Sequence, residues 1–169
     1  MRSCFYRSTD GLDLHALHWR SQDAASSSCV LLLHGFTNDA HVWDPIAEAL
    51  SRSHHVLALD FRGHGDSAWD SNRRYSHWQL ADDVAQAVAH FSSKELDVEQ
   101  WHVVGHSLGA RVAMLALADG TLAVESFVAV DAAPEVSAEA SAKILADAQS
   151  VPTEFKSIEE YKSYLNGLY

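Results

Sequence analysis

The order of apolar segments along the chain predicts an α/β fold: a mostly parallel sheet with helices on both faces and an antiparallel N-terminal hairpin. Three observations carry this expectation. Residues 29–34, 56–60, 101–105 and 126–130 are short apolar or β-rich runs, the first a continuous stretch of the kind covered on both faces. Between them, residues 42–51, 76–91 and 110–118 have helical character, and a succession of strand and helix is the pattern of parallel βα units. At the N-terminus, two β-rich runs flank Thr9-Asp10-Gly11, a tight-turn signal, so they read as a hairpin.

Each element has its own justification. In residues 12–19, Leu12, Leu14, Ala16 and His18 alternate with Asp13, His15, Leu17 and Trp19, which suits a strand near a sheet edge. Residues 21–28 form a polar, Ser-rich loop. The helix expected over 42–51 tolerates Pro45 because that residue falls in the first turn. In the helix expected over 76–91, Leu80, Val84, Ala87, Val88 and Phe91 share one face and Asp82, Asp83 and Gln86 the other. After Pro134 the pattern changes to two amphipathic helices, over 137–148 and 153–165, the second with Phe155, Ile158, Tyr161 and Leu165 on one face.

The chain has 169 residues, enough for one domain with a substantial core, and a formal net charge of −11. That balance, without a basic patch, argues against nucleic acid or an anionic membrane as partner. Two cysteines, Cys4 and Cys29, offer neither a disulfide framework nor metal spacing, so reduced thiols in a cytoplasmic compartment are expected. The N-terminus lacks an apolar signal region and no run of 18 apolar residues occurs. His54 and His55 are adjacent, and His15 and His18 would face opposite sides of a strand. Neither pair has ligand geometry, and no metal or other cofactor is expected.

The densest signal is Val103-Val104-Gly105-His106-Ser107-Leu108-Gly109-Ala110, a strand running into a G-x-S-x-G turn and then a helix. A serine at such a reversal is held at positive φ with its hydroxyl clear of the backbone. Gly105 and Gly109 stand where strand and helix press together and a Cβ would collide. The Leu108 N–H is an unpaired first-turn donor aimed where an oxyanion would form. A glycine-rich turn with an ordinary surface serine fits the pentapeptide alone.

With Leu33-His34-Gly35-Phe36 after the third strand and Asp60-Phe61-Arg62-Gly63-His64-Gly65-Asp66-Ser67 after the fourth, this motif makes the chain resemble the α/β-hydrolase family over essentially its whole length. The resemblance implies Ser107 as nucleophile, the backbone N–H groups of Phe36 and Leu108 as the oxyanion hole, and a small-molecule acyl substrate such as an ester or thioester. A serine at this position disfavours dehalogenase or epoxide hydrolase chemistry. Residues 1–133 would be the first six strands of the core and 134–169 the start of a helical cap, an incomplete α/β-hydrolase fold.

Asp131, at the end of the sixth strand, resembles the triad acid of the family members that use that position; it also fits a capping or turn aspartate in Asp-x-x-Pro. The family order is Ser, acid, His, yet all 11 histidines precede Ser107. The chain is therefore expected to be the N-terminal portion of a longer hydrolase, with a catalytically inactive or binding domain as the alternative. His106 is expected to pack beneath the site, and His34 and His64 to shape their loops. Phe36 and Trp43 fit either core or pocket, Arg111 either an anion-steering or a solvated position, and Phe155 and Tyr161 either an acyl cleft or cap packing.

Overall fold

A computed structural model describes residues 1–94, 96–135, 137–152 and 154–167. It divides into two compact units, Met1–Pro134 and Glu135–Tyr169. The first unit is built on one sheet of six strands: β1 (Arg2–Arg7), β2 (Asp13–Trp19), β3 (Ser28–Leu33), β4 (His55–Leu59), β5 (Gln100–His106) and β6 (Ser126–Val130). Their order across the sheet is β1-β2-β4-β3-β5-β6. β1 pairs antiparallel with β2, and β2 with β4, whereas β3 is parallel to β4 and β5, and β5 to β6.

Alternation along the strands divides the core into two. Leu31, Leu33, Leu57, Leu59 and Val103 pack with Leu80, Val84, Ala87 and Phe91 of α2 (His77–Lys94) and Val112, Ala113 and Ala116 of α3 (Leu108–Ala118). Val30, Leu32, Val56 and Ala58 pack on the opposite face with Ala40, Trp43 and Ala47. Leu31, Leu32 and Leu33 are fully buried, each contributing about 1.5–3 kcal/mol of hydrophobic stabilisation. Helices thus cover both faces of the central strands.

β2 lies next to the edge strand β1, as the sequence suggests, and Leu14 through Trp19 are all buried, His15 and His18 included. The helix expected over 42–51 is two pieces, a 3₁₀ turn Ala40–Trp43 followed by α1 (Asp44–Leu50). Asp39 caps the 3₁₀ turn at the His41 N–H, and Pro45, which has no N–H to give, falls at the start of α1. Phe36 is not core, being 51% exposed, while Trp43 is buried with its indole Nε1 lacking a hydrogen-bond partner.

In the second unit, α4 (Ala138–Ser150) is capped by the Ser137 hydroxyl. The second helix begins later than expected, as α5 (Ile158–Asn166); of the residues assigned to its start, Thr153 lies outside the described residues. Ser157 sets the start by accepting from the Glu160 N–H, while the Glu160 carboxylate accepts from the Lys156 N–H, a variant of the capping box. Phe155 precedes the helix and packs tilted against Tyr161 and Tyr164, with ring centroids 5.0 and 5.4 Å away. Ile158 and Tyr161 are both exposed.

The loop after β4 is fixed by buried charge. Arg62, with no exposed side-chain surface, is held in a fork by Asp83 of α2 at 2.6 Å through both Nε and Nη2 and reaches Asp10 in the hairpin turn at 3.0 Å. Burial works against the guanidinium charge, but the carboxylates of Asp83 and Asp10 more than offset it, and its pKa stands above the ordinary arginine value. Arg62 therefore ties the loop to both the N-terminal hairpin and α2.

Candidate active site

Ser107 sits between β5 and α3 with φ 48° and ψ −108°, a backbone conformation that costs a non-glycine residue on the order of 1–3 kcal/mol. The corner is pinned from two sides. The Ser107 N–H donates to the Val130 carbonyl at the end of β6, at 3.0 Å, and the Gly109 N–H donates to the His34 carbonyl, at 3.1 Å. A Cβ on Gly105 would come within 2.5 Å of the Ala110 nitrogen, and one on Gly109 would collide with the Leu33 carbonyl. Both glycines thus permit the close approach of strand and helix that the motif requires.

The loop after β3 lies against this corner. A Cβ built on Gly35 would stand 3.5 Å from the Ser107 Cβ and 2.6 Å from His106 Nδ1. A turn from Gly35 to Asn38 is closed by a 3.2 Å hydrogen bond and holds Thr37 at φ 68°, unusual for a β-branched residue. Among the described residues, neither the Phe36 nor the Leu108 N–H is engaged in a hydrogen bond.

Backbone strain concentrates here. Among the described residues, the non-glycine positions with positive φ are Thr37, Arg73, Ser107 and Asp131, and three of these four follow β3, β5 and β6 directly or closely. The C-terminal edge of the parallel strands is where open α/β sheets build their sites. Asp131 has 90% of its side chain exposed, with Oδ2 4.0 Å from His106 Nε2.

The histidines near Ser107 are not placed as its base. His34 is fully buried with both ring nitrogens in use: Nδ1 donates to the Gly35 carbonyl at 2.8 Å, and Nε2 accepts from the Phe61 N–H at 3.1 Å. Burial, more than any neighbour, pushes its pKa down. His64 leans on Phe36 and His34 with Nδ1 3.2 Å from the Arg62 carbonyl. The His106 ring lies between Gly35 and Asp131. None of the three is hydrogen-bonded to the Ser107 hydroxyl.

A cleft of about 450 Å³ opens between the start of α2 and the outer side of α3, lined by Ser76, His77, Trp78, Arg111 and Met114 among others. Arg111, one helical turn past Ser107, is thus part of a cleft wall rather than a freely solvated residue. Burial and then the Arg111 charge lower the His77 pKa. Sequence reasoning did not single out His77 or Trp78; an exposed Trp beside a His at a helix start was the available signal. Among the described residues no three His, Cys, Asp or Glu side chains converge as metal ligands, and no helix is long and apolar enough to cross a membrane.

Residues 29–160 match the model of the alpha/beta hydrolase fold family. The chain is 30% identical over 158 residues to a 2-(acetamidomethylene)succinate hydrolase of Mesorhizobium japonicum, covering 94% of this chain and 55% of the relative. It is 32% identical over 124 residues to an N-formylmaleamate deformylase of Pseudomonas putida, covering 73% of this chain and 43% of the relative. The crystal structure of an alpha/beta hydrolase from Novosphingobium aromaticivorans superposes with a TM-score of 0.73 at 28% identity, over 85% of this chain and 48% of that one. The chain spans about half the length of these curated relatives. Its sheet order, its strained serine corner and the match over residues 29–160 together make this chain a member of the α/β-hydrolase fold family.

Proposed function

We propose that the chain carries the nucleophile half of a serine hydrolase that transfers the acyl group of a small ester, thioester or amide to water. The observation that carries this reading is the Ser107 backbone, strained at φ 48° on the corner between a parallel strand and a helix. In this mechanism Ser107 Oγ attacks the carbonyl carbon, and the developing oxyanion is received by the Phe36 and Leu108 N–H groups. A donor pair of this kind lowers the barrier by about 3–4 kcal/mol per donor. Asp131 orients the histidine base that this mechanism requires, a role for which none of the described histidines near Ser107 is placed, with residues 1–133 as the core and 134–169 as the start of a helical cap.

The relatives' names specify hydrolysis of a small acylamino carboxylate and removal of a formyl group, which supports a small anionic substrate. Arg111 in the cleft wall is a suitable counter-charge. A net charge of −11 supports a small-molecule partner over nucleic acid or an anionic membrane, and two buried cysteines that form no disulfide fit a reducing, cytoplasmic setting.

Treatment with a fluorophosphonate, followed by peptide mapping, tests the reading. Ser107 should be labelled rapidly in a longer form carrying a downstream histidine and slowly in the 169-residue chain. Absence of Ser107 labelling in the longer form rejects the enzyme. Rapid labelling of Ser107 in the short chain rejects the role of a missing base. A binding domain without catalysis is the second reading, favoured by one observation: the nearby histidines have no hydrogen bond to Ser107.

A further inference from the structure

A second serine of this chain stands at the head of a hydrogen-bonded Ser-His-Asp series, well apart in sequence from Ser107. Ser3, on β1, lies with its Oγ 2.7 Å from His15 Nε2, and His15 Nδ1 lies 2.7 Å from Asp60 Oδ2. His15 and Asp60 are sealed from solvent, with 2% and 4% of their side chains exposed, while Ser3 is exposed. We propose that Ser3 is an acylatable nucleophile, activated by His15 and Asp60, that accepts acyl groups from small aryl esters.

The protonation pattern follows from the acceptors. An ionised carboxylate only accepts, so His15 Nδ1 carries the hydrogen that it donates to Asp60. In the proposed resting state the ring carries no second hydrogen, so Nε2 accepts from the Ser3 hydroxyl. That is the arrangement a general base needs before attack. Asp60 is itself held rigidly: it accepts from the Ala40 N–H at 2.6 Å and the Asp66 N–H at 3.0 Å, so the imidazole is oriented by a fixed anchor. Phe5, two residues along β1, is 55% exposed with its ring 5.1 Å from that of His15, an apolar platform beside the hydroxyl.

In the reaction, Ser3 Oγ bonds to the ester carbonyl carbon as its proton passes to His15 Nε2. Collapse of the tetrahedral adduct breaks the bond to the aryl oxygen, which leaves with the proton from Nε2. Water, losing a proton to Nε2, then attacks the acyl-serine and releases the acid, and the serine recovers its proton. Each step balances without a metal or redox partner.

The test uses the full 169-residue chain and p-nitrophenyl acetate, with acetyl groups located by tandem mass spectrometry on the tryptic peptide between Arg2 and Arg7. Ser71, also exposed, serves as the internal comparison and requires no variant. Ser3 should be acetylated at least about 100-fold faster than Ser71, the advantage typical of a positioned base. Labelling should persist in Ser107→Ala, vanish in Ser3→Ala, and slow at least about 100-fold in a folded His15→Gln protein. Equal rates at Ser3 and Ser71 overturn the proposal even if His15→Gln fails to fold. Because sites are mapped, the result is independent of labelling at Ser107.

Discussion

Asp60 and Asp131 each stand one residue past a parallel strand, β4 and β6 respectively, on the same edge of the sheet. Asp60 is 3% exposed and is bonded to His15, Ala40 and Asp66, and the loop wraps it so closely that a side chain on Gly65 would strike its carboxylate. Asp131 has 90% of its side chain exposed, with His106 Nε2 4.0 Å away. The contrast follows the strands that present them. β4 lies between β2 and β3, with helices on both faces, whereas β6 is the outer strand, with Val128 and Val130 exposed. A carboxylate in the middle of a sheet can become a structural brace, while one beside an outer strand keeps its side chain in solvent.

Substitutions at these positions sharpen the difference. The largest effect is expected for Asp131→Asn in a longer, hydrolytically active form: kcat should fall by about 10⁴-fold, by analogy with loss of a triad acid. The same substitution in the 169-residue chain should move the denaturant midpoint by no more than about 0.5 kcal/mol of stability, since the side chain is exposed. A large loss of stability there would make Asp131 a second brace and erase the contrast. Asp60→Ala should do the opposite, lowering stability by about 3–5 kcal/mol in urea unfolding, because the buried His15 ring, the buried Ala40 N–H and the Asp66 N–H lose their partner.

Ser107→Gly should raise stability by about 1 kcal/mol by relieving the positive φ, measured by thermal unfolding, while abolishing fluorophosphonate labelling at that position. The smallest change is one of slope. Hydrogen bonds from Arg62 to Asp10 and from Arg74 to Asp70 hold both carboxyls below their usual value of 3.8. A depressed folded-state pKa stabilises the fold above the unfolded value, and that contribution is lost as pH falls through the folded one. Acid unfolding followed by ellipticity should therefore be shallower below pH 3.8 in Asp10→Asn than in the unsubstituted chain.

Much of this architecture was readable before any coordinates. The run from Cys29 to Leu33 could only be a strand covered on both faces, and β3 is one. Gly105 and Gly109, spaced two residues either side of Ser107, reported a steric constraint that the corner indeed imposes. What the sequence left unread at β2 is the burial of its histidines: His15 is bonded to Asp60 and His18 to His55, partners far away in the chain. Between the core and pocket positions open to Phe36, the structure leaves it 51% exposed beside the turn that holds Thr37 at positive φ.

The sequence by itself determined the alternation of strand and helix and the strained serine corner, because both depend on local periodicity and on where a Cβ fits. Only the tertiary structure decided which carboxylate is a brace and which is open, and that Ser3, His15 and Asp60 meet. Those outcomes depend on antiparallel register and on contacts between residues 12 and 45 positions apart, which no local pattern encodes.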